Sequence, residues 1–291
     1  MNAASTKKKL NITRKHVLTG VGSLVAVLGC YLAYQHFMFI STDNAQVEAH
    51  SVMLASKVAG FVVEVKVTEG QRVKTGDVLV QIDPRDYENT LTQIKGDLTS
   101  AEARKRDVER NYGRISSLFS QGAVSQQQFD TASTSYSEAK AKFEAVSAQV
   151  AQAQLNLDNT RVVAPIDGFI ARKAVEKGQL TSPGIPLIGF IGADERWITA
   201  NFKETEISQV KVGAKVDVTV DAADGEDYHG TVESISSATG STFTLLPPDN
   251  ATGNFTKVVQ RVPVKIKLEG LKDSDFVLLK AGLSAVVKVH K

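Results

Sequence analysis

One pattern of glycines occurs twice in this chain of 291 residues, at a fixed offset of 108. Residues 60–82 and 168–190 align without a gap, and seven of the twenty-three aligned positions are identical. The identical positions include three glycine pairs, Gly60/Gly168, Gly70/Gly178 and Gly76/Gly184. Because glycine adopts backbone conformations that strain other residues, these positions are predicted to be structural turns between short strands. Either half alone has an incomplete core, so we expect the two halves to pack together.

Each half alternates apolar and polar residues over short runs, as half-buried β-strands do. The run Gly-x-x-Val-x-x-Gly-Asp-x-Leu at residues 70–79 resembles the flattened β-fold of biotinyl and lipoyl carrier domains. Those carriers present a lysine for their cofactor in the turn between the halves, whereas here Ile82-Asp83-Pro84 leads into almost eighty residues of another kind. The resemblance therefore implies a split lipoyl-like domain, residues 55–83 and 161–191. The missing lysine disfavours a cofactor and a carrier function, so a membrane-tethered lipoyl or biotin carrier is kept only as an alternative.

The insert between the halves, residues 84–160, is predicted to be helical. Asp83 followed by Pro84 is typical of a helix start, and the acidic residues that follow complement the helix dipole. Apolar residues then recur at alternating spacings of four and three, interrupted only by Lys105, at Tyr87, Leu91, Ile94, Leu98, Ala101, Val108, Tyr112, Ile115 and Phe119. The spacing returns at Phe129, Ala132, Tyr136, Ala139, Phe143, Val146, Val150, Ala153 and Leu157. Two such arms predict an antiparallel coiled-coil hairpin, each arm roughly 50 Å long.

The turn between the arms is predicted at residues 120–125. Gly122 suits the left-handed position that ends a helix, and Ser125, with a glutamine three residues later, matches a capping box. Leu118 lies off the heptad stripe beside this turn, and Arg114 shares its outward face one helical turn earlier. The simplest interpretation of Ser125 is a helix cap alone, and an exposed leucine is common. An arginine and a leucine at the end of a long rod nevertheless predict a docking point.

The N-terminus combines a basic tail with a long apolar segment. Residues 1–16 carry five Lys or Arg and no acid, and no charged residue follows before Asp43. The eighteen residues from position 17 cover roughly 27 Å as a helix, and the apolar region extends to residue 40, enough to cross a bilayer. Because basic tails stay in the cytoplasm, residues 17–40 are predicted to be a single transmembrane anchor with an exported remainder. The alternatives are a cleaved signal peptide and a lipoprotein signal ending at Cys30.

Nothing in the sequence predicts an active site. The net charge of +2 conceals a mildly acidic body, because the residues from Ser41 onward carry 29 basic and 32 acidic side chains. Cys30 is the only cysteine, and the five histidines show no metal-ligand spacing. HExxH, GxSxG, GxGxxG and phosphate-binding loops are absent. We therefore predict no enzymatic activity, no metal and no nucleic-acid partner.

Residues 192–291, with a first strand and linker in residues 41–54, are predicted to form a small β-barrel. Alternating stretches at 215–220, 231–235, 263–268 and 285–289 are separated by glycine or proline turn signals. Residues 240–256 are rich in Gly, Pro, Asn and Thr and are expected to form a long loop. The predicted fold class is mixed α and β and elongated, with a transmembrane helix, a split lipoyl-like domain, a coiled-coil α-hairpin and a small β-barrel.

This combination resembles the membrane fusion, or periplasmic adaptor, proteins of Gram-negative tripartite efflux pumps and type I secretion systems. In that family the hairpin tip carries a channel-docking motif of Arg, Leu and Ser followed by Asp. The motif matches Arg114, Leu118, Ser125 and Asp130 here, with Gly122 in the turn. The resemblance implies that these residues meet the periplasmic end of a TolC-like outer-membrane channel.

Three segments resemble the HlyD/EmrA-type branch in particular, STDNAQV at 41–47, WITANFKETEI at 197–207 and LLPPDNATGNFTKVVQRVPVKI at 245–266. That resemblance implies multidrug or toxic-compound efflux with an inner-membrane transporter of the major-facilitator drug/proton antiporter type. It also implies a homo-oligomeric ring, a trimer or a hexamer, anchored in the inner membrane with its bulk in the periplasm of a Gram-negative bacterium. The alternative is an adaptor for an ABC exporter in type I protein or peptide secretion.

Overall fold

The structure, a computed structural model, describes residues 38–223, 226–240, 242 and 259–291. Contacts between residues divide the chain into two compact units, Met1–Ala49 with Glu195–Lys291, and His50–Asp194. The predicted anchor up to residue 37, and most of the loop predicted at 240–256, lie outside the described residues. Among the helices of the described ranges, none is both long enough and apolar enough to cross a membrane.

The elements are numbered here in chain order. The strands are β1 (Phe39–Glu48), β2 (Ser51–Ala55), β3 (Gly60–Val65), β4 (Arg72–Val73), β5 (Val78–Ile82), β6 (Arg161–Val163), β7 (Gly168–Lys173), β8 (Leu180–Thr181), β9 (Pro186–Gly192), β10 (Trp197–Lys203), β11 (Lys215–Val220), β12 (Asp227–Ile235), β13 (Arg261–Glu269) and β14 (Ser284–His290). The helices are α1 (Arg85–Ser120), α2 (Gln126–Asp158) and α3 (Asp275–Leu278), with a 3-10 turn at Ile207–Gln209. These elements confirm the mixed α and β fold.

The first unit is a closed six-stranded barrel with the strand order β1-β10-β13-β12-β11-β14. Its core follows the alternation of the sequence. In β11, for example, Val216, Val218 and Val220 are each at most 1% exposed. Burying a valine side chain of this kind contributes about 1.5–3 kcal/mol. The four strands predicted from alternating residues are confirmed as β11, β12, β13 and β14.

The barrel begins earlier in the chain than hydropathy predicts. Phe39 and Ile40, which the sequence analysis assigned to the anchor, belong to β1. Ile40 is buried in the barrel core, and the Phe39 ring packs edge-on against His290 with 4.7 Å between ring centroids. The prediction is wrong at these two residues because an apolar run does not mark where a membrane segment gives way to a buried strand.

The second unit contains two four-stranded sheets, with the orders β2-β9-β7-β4 and β6-β5-β3-β8. Strand β2 pairs with β9, so residues 51–54 belong to this unit, although they were predicted as part of the first barrel strand and its linker. Strands of both units alternate in the same way, so the pattern alone does not assign a strand to a sheet. The core residues of this unit that are at most 2% exposed are Val62, Leu79, Val80, Ile82, Ala164, Ile170, Val175, Leu187, Ile188 and Phe190.

The offset of 108 residues returns in the hydrogen bonds between the two halves. Gly70 N donates to Ile170 O at 2.7 Å, and its equivalent Gly178 N donates to Val62 O, also at 2.7 Å. A second equivalent pair is Gly76 N to Ala164 O and Gly184 N to Ser56 O, both 2.9 Å. Because each half donates to the other through equivalent atoms, a pseudo-twofold rotation relates the halves. Neither half satisfies its backbone groups alone.

Four of the six repeated glycines lie in turns. Their φ angles lie between +79° and +87°, a region in which a side chain strains the backbone, and they are Gly70, Gly76, Gly178 and Gly184. The surroundings of all four leave room for a Cβ atom. Backbone conformation, rather than lack of space, is therefore the reason for glycine at these positions.

The other two repeated glycines are not in turns, and the prediction is wrong for them. Gly60 begins β3 and Gly168 begins β7. A Cβ on Gly60 would lie 2.7 Å from Ile82 Cγ2, and one on Gly168 would lie 2.4 Å from Ile191 O. Close approach of neighbouring groups therefore requires glycine at position 168. At Gly60 the close approach adds to a φ of +152°, which side chains rarely adopt. The repeat pattern does not distinguish this reason from a turn.

Helices α1 and α2 pack side by side as the predicted antiparallel hairpin. Their 36 and 33 residues correspond to about 54 and 50 Å at the usual helical rise. Every predicted heptad position is buried or half-buried, which confirms the heptad interpretation. Helix α1 begins at Arg85 with Pro84 as its N-cap, one residue later than predicted, and Asp83 Oδ1 accepts the Arg85 N–H at 3.1 Å.

Candidate partner-binding site at the hairpin tip

Aromatic side chains join the two helices just below the turn. Tyr112 of α1 stacks on Tyr136 of α2 with 5.3 Å between ring centroids, and it meets Phe129 at 5.9 Å. Phe119 also stacks on Phe129, with 4.8 Å between ring centroids. Such aromatic pairs add about 0.5–1.5 kcal/mol each beyond their buried area. They therefore hold the two helix ends in one register at the tip.

Helix α1 ends in a Schellman motif at Gly122. Ala123 N donates to Leu118 O, and Gly122 N donates to Phe119 O, both at 2.9 Å. Gly122 has a φ of +73°, the left-handed conformation that this motif requires. The prediction that Gly122 ends the first helix is confirmed. The same motif fixes the backbone of Leu118, because its carbonyl oxygen closes the turn.

Helix α2 begins with the predicted capping box. Ser125 Oγ accepts the Gln128 N–H at 3.3 Å, and Ser125 N donates to Gln128 Oε1 at 3.1 Å. Ser125 is extended, with φ −77° and ψ 157°, as an N-cap residue should be. The sequence therefore predicted the local role of Ser125 correctly. Its hydroxyl hydrogen is not used by the cap.

Replacing Ser125 with alanine should destabilise the hairpin by about 1 kcal/mol, because the first turn of α2 loses its side-chain acceptor. Ser125→Asp keeps an acceptor at the cap and should stay close to the wild-type stability. Urea unfolding followed by far-UV circular dichroism measures both. Equal unfolding midpoints for Ser125→Ala and the wild type would contradict the capping role.

Leu118 presents an exposed apolar side chain beside the turn. Of the hairpin residues 85–158, all of which are described, the exposed large hydrophobic side chains are Leu118 at 40% and Leu155 at 52%. Leu155 lies near the other end of α2, far along the helix from the turn. Leu118 therefore stands alone as an apolar contact at the tip.

The charged candidates Arg114 and Asp130 flank this leucine on the two helices. Arg114 is exposed, and its Nη2 donates to Asn111 Oδ1 at 3.3 Å. Asp130 is exposed, and its Oδ1 accepts from Gln126 Nε2 at 2.8 Å. No charged residue lies between Arg114 and Asp130 in the sequence. The tip therefore offers hydroxyl and amide groups around one leucine, with a single cation on α1 and a single anion on α2.

Below the tip, a tyrosine links the helices by a hydrogen bond as well as by stacking. Tyr136 Oη donates to Glu109 Oε1 at 3.3 Å. The Glu109 charge, with partial burial and this hydrogen bond, raises the pKa of the Tyr136 phenol above its ordinary value. The phenol therefore remains protonated, and the contact persists, throughout the physiological pH range.

Sequence reasoning missed the partner of Lys105. Its ammonium nitrogen lies 4.7 Å from the centroid of the Phe143 ring, a cation–π geometry. The signal was available, because Lys105 and Phe143 both occupy heptad core positions on facing arms. A polar residue at one core position favours a single register of a coiled coil, and this pair supplies that function for the hairpin.

The place where a carrier would present its lysine is occupied by the start of α1. Arg85 Nη2 lies 2.6 Å from Asp83 Oδ2, and this hydrogen-bonded cation lowers the pKa of Asp83 to about 2. Asp83 is therefore ionised at physiological pH. Within the residues that the structure describes, no cluster of three or more His, Cys, Asp or Glu could hold a metal ion.

Comparison with known proteins identifies the family. A family profile described as "RND MFP, barrel-sandwich hybrid domain" matches residues 50–187, and one described as "AAEA-like beta-barrel domain" matches residues 196–290. The Multidrug export protein EmrA of Haemophilus influenzae is 32% identical over 338 aligned residues, which cover 98% of this chain and 86% of that protein. The chain belongs to the EmrA-type membrane fusion proteins. The two four-stranded sheets of the second unit, which we call the β-unit, the barrel and the hairpin are thus parts of one known adaptor architecture.

A second relative and two solved structures are also similar to this chain. The Colistin resistance protein EmrA of Acinetobacter baumannii is 32% identical, over 99% of this chain and 98% of that protein. The membrane fusion protein Spr0693 of Streptococcus pneumoniae shares the fold, with a TM-score of 0.60 at 15% identity over 87% of this chain and 98% of that one. A MacA-MexA chimeric protein containing the Pseudomonas aeruginosa MexA α-hairpin has a TM-score of 0.57 at 25% identity, over 87% and 81% of the two chains.

Proposed function

We propose that this protein is the periplasmic adaptor of a tripartite pump that exports toxic compounds. It joins an inner-membrane transporter to a TolC-like outer-membrane channel and performs no chemistry itself. The observation that carries the proposal is the capped helical hairpin with Leu118 exposed at its tip, in a chain of the EmrA-type family. Such a hairpin has the length to bridge two partners and a defined end with which to bind one of them.

The cargo of the pump follows from the relatives. The two EmrA-type relatives described above are named for multidrug export and for colistin resistance. These names support toxic compounds, including antibiotics, as the cargo, and they give no support to type I secretion through an ABC exporter. The energy for transport comes from the transporter partner, because the adaptor has no nucleotide-binding motif in its sequence.

The tip residues have different roles in docking on the channel. Leu118 supplies an apolar contact, and Arg114 on the same face supplies a guanidinium that can donate to carbonyl or carboxylate oxygens. Gly122 and Ser125 hold the turn between the helices, so they act mainly by positioning Leu118. Asp130 offers an acceptor on α2. This division rests on exposure and hydrogen bonding at the tip.

The remaining partners belong to the same proposal. The apolar segment that begins at residue 17 anchors the chain in the inner membrane and ends before β1 begins at Phe39, with the basic tail in the cytoplasm. The anchor lies beside a transporter of the major-facilitator type. Copies of the adaptor assemble into a ring, a trimer or a hexamer, so that their hairpins surround the path of the cargo.

In-cell photo-crosslinking tests the transporter. Met38 lies at the end of the predicted anchor, directly before β1, and is 46% exposed, so a photo-reactive amino acid at this position should capture the transporter. We expect mass spectrometry to identify a major-facilitator antiporter. The same group at Leu155 of the hairpin serves as the control and should not capture it. Capture of an ABC ATPase from Met38 would overturn the proposed partner.

A further inference from the structure

The two halves of the β-unit share a backbone but differ on their outer surfaces. Residues 61, 63, 64 and 180 correspond to residues 169, 171, 172 and 72 at the offset of 108. The first set is Phe61, Val63, Glu64 and Leu180, which we call the apolar face. The second set is Phe169, Ala171, Arg172 and Arg72, which we call the basic face. The pseudo-twofold rotation that relates the halves carries one face onto the other.

The apolar face exposes neighbouring hydrophobic side chains. Phe61 and Leu180 are paired across β3 and β8, and they are 59% and 58% exposed. Val63, two residues along β3, is 43% exposed. Single exposed hydrophobic residues need no explanation, but a contiguous group of them on a short, well-ordered pairing marks an interaction site.

On the basic face, the phenylalanine equivalent to Phe61 is covered by an arginine. Arg72 and Phe169 are paired across β4 and β7 in the equivalent register. The Arg72 guanidinium carbon lies 5.9 Å from the centroid of the Phe169 ring, within cation–π range, and Phe169 is only half-exposed. The chain therefore already shows how an arginine covers this aromatic ring. Phe61 lacks that cover because Leu180 stands where Arg72 stands in the other half.

The charges of the two faces are also opposite. Strand β3 has a register irregularity between Val62 and Glu64, and β7 has one between Ile170 and Arg172, its equivalent positions. Glu64 and Arg172 are both exposed at these irregularities. Glu64 already lies 3.7 Å from Lys66 of its own half, in an ion pair whose side chains are both about half-exposed, so pairing with an arginine of another copy would compete with an exposed contact of low energy. The basic face carries two arginines, Arg72 and Arg172, and can therefore offer a cation to Glu64 and a guanidinium to the uncovered Phe61 ring.

We propose that the apolar face of one copy of this chain docks on the basic face of a second copy. Arg72 of the neighbour covers Phe61 and Leu180, and its Arg172 pairs with Glu64. Because the two faces are different surfaces on different sides of the β-unit, the contact is head-to-tail and leaves both outer copies able to bind further copies. The proposal rests on the ring that is part of the proposed function and names the residues that form it.

Crosslinking between differently labelled copies tests the arrangement. In the full chain, purified in detergent with Cys30→Ser as background, Leu180→Cys and Arg72→Cys are made as separate variants. Treating their mixture with a short bifunctional maleimide should give a covalent dimer of one copy of each. Either variant treated alone should give little covalent dimer, because its cysteines do not face each other across the contact. A dimer from Leu180→Cys alone would show like faces meeting and would overturn the proposal. So would the absence of a crosslinked dimer in the mixture.

Sedimentation of the full chain in detergent provides an independent measurement. Leu180→Asp should weaken self-association roughly tenfold or more, as expected for loss of a central interface side chain. Val212, which is 65% exposed in the barrel unit, provides the matched control, because Val212→Asp also replaces an exposed hydrophobic residue with a charge and should leave association unchanged. Unaltered association in Leu180→Asp, or a wild-type protein that stays monomeric, would overturn the proposal.

The failure of this inference can be distinguished from failure of the proposed function. Leu118→Asp at the hairpin tip should sediment as the wild type does, because the tip is separate from both faces. A protein that confers resistance but shows neither the mixed crosslink nor the effect of Leu180→Asp would refute the head-to-tail contact and leave the adaptor function in place.

Discussion

Replacing Leu118 with aspartate is expected to abolish export-dependent resistance while leaving the fold intact. Leu118 is 40% exposed at the hairpin tip, and its contribution to the tip fold is made by its backbone carbonyl, which accepts the Ala123 N–H. A substituted side chain leaves that hydrogen bond in place. An apolar anchor at the centre of a docking contact typically carries about 2 kcal/mol or more, and a buried, unpaired carboxylate adds a desolvation cost. Docking on the channel should therefore weaken by roughly thirtyfold or more.

The measurement is growth in the presence of a compound to which a strain lacking this gene is sensitive. The strain carries either the wild type or a variant, at matched protein levels. Leu155→Asp is the control, because Leu155 lies on the same hairpin and is exposed to a similar extent, 52%, but is far from the turn. We expect wild-type resistance from Leu155→Asp and none from Leu118→Asp. Equal resistance from both variants would refute the docking assignment.

Arg114 extends the same experiment. Arg114 is exposed, and its hydrogen bond goes to Asn111 of the same helix. Because no contact between the two helices is lost, Arg114→Glu should leave the hairpin folded while it reverses the charge at this position. A loss of resistance in Arg114→Glu as well as in Leu118→Asp would locate the contact on this face of α1. The unfolding midpoint of each variant, measured by circular dichroism, separates failed docking from failed folding.

Replacing Gly168 with alanine should destabilise the β-unit by roughly 3 kcal/mol, the upper part of the range for overpacking a core. A Cβ at this position would lie 2.4 Å from Ile191 O and 2.4 Å from Phe190 Cζ. Gly168 is buried, and Phe190 is 2% exposed in the core between the sheets. Neither the backbone oxygen nor the buried ring has free space into which to move. The pairing of β7 with β9 must therefore open to relieve the clash.

Two further glycines provide controls, because replacing one with alanine should lower the stability slightly and replacing the other should raise it. Gly70 is in a turn at a φ of +79°, with open space around it, so Gly70→Ala should cost only about 1–2 kcal/mol for the left-handed backbone. Gly113 is exposed in the middle of α1 with nothing near its Cβ position, so Gly113→Ala should stabilise the hairpin by about 0.5–1 kcal/mol. Urea unfolding midpoints of the three variants give the order. A Gly168→Ala protein as stable as Gly70→Ala would contradict the packing argument.

The hairpin was predictable nearly residue by residue. Heptad spacing, the glycine that ends the first helix and the capping box at Ser125 are local signals, since each acts within four or five residues of itself. The exposure of Leu118 followed from its position off the stripe. The stacking of Tyr112 on Tyr136 and the position of Lys105 over Phe143 depend on the facing arm, and so required the paired structure.

Most β-strands were predictable as strands, but the unit to which each strand belongs was not. Alternation located β11 to β14, but it did not separate Phe39 and Ile40 from the anchor, or residues 51–54 from the barrel. These errors have one cause. Alternating or apolar runs indicate burial of one or both faces, whereas the choice of neighbouring strand depends on residues far away in the chain.

The sequence by itself determined that two similar β-halves flank a helical hairpin and where that hairpin turns, because repeats and helix ends are encoded locally. It also determined that glycine was required at six repeated positions. Only the tertiary structure decided why, since Gly70 is needed for its backbone angle and Gly168 for the closeness of another strand. The tertiary structure alone also showed that Phe61 lies on the apolar face and Arg72 on the basic face. The pseudo-twofold rotation that relates these faces exists only because the two halves pack together and exchange hydrogen bonds.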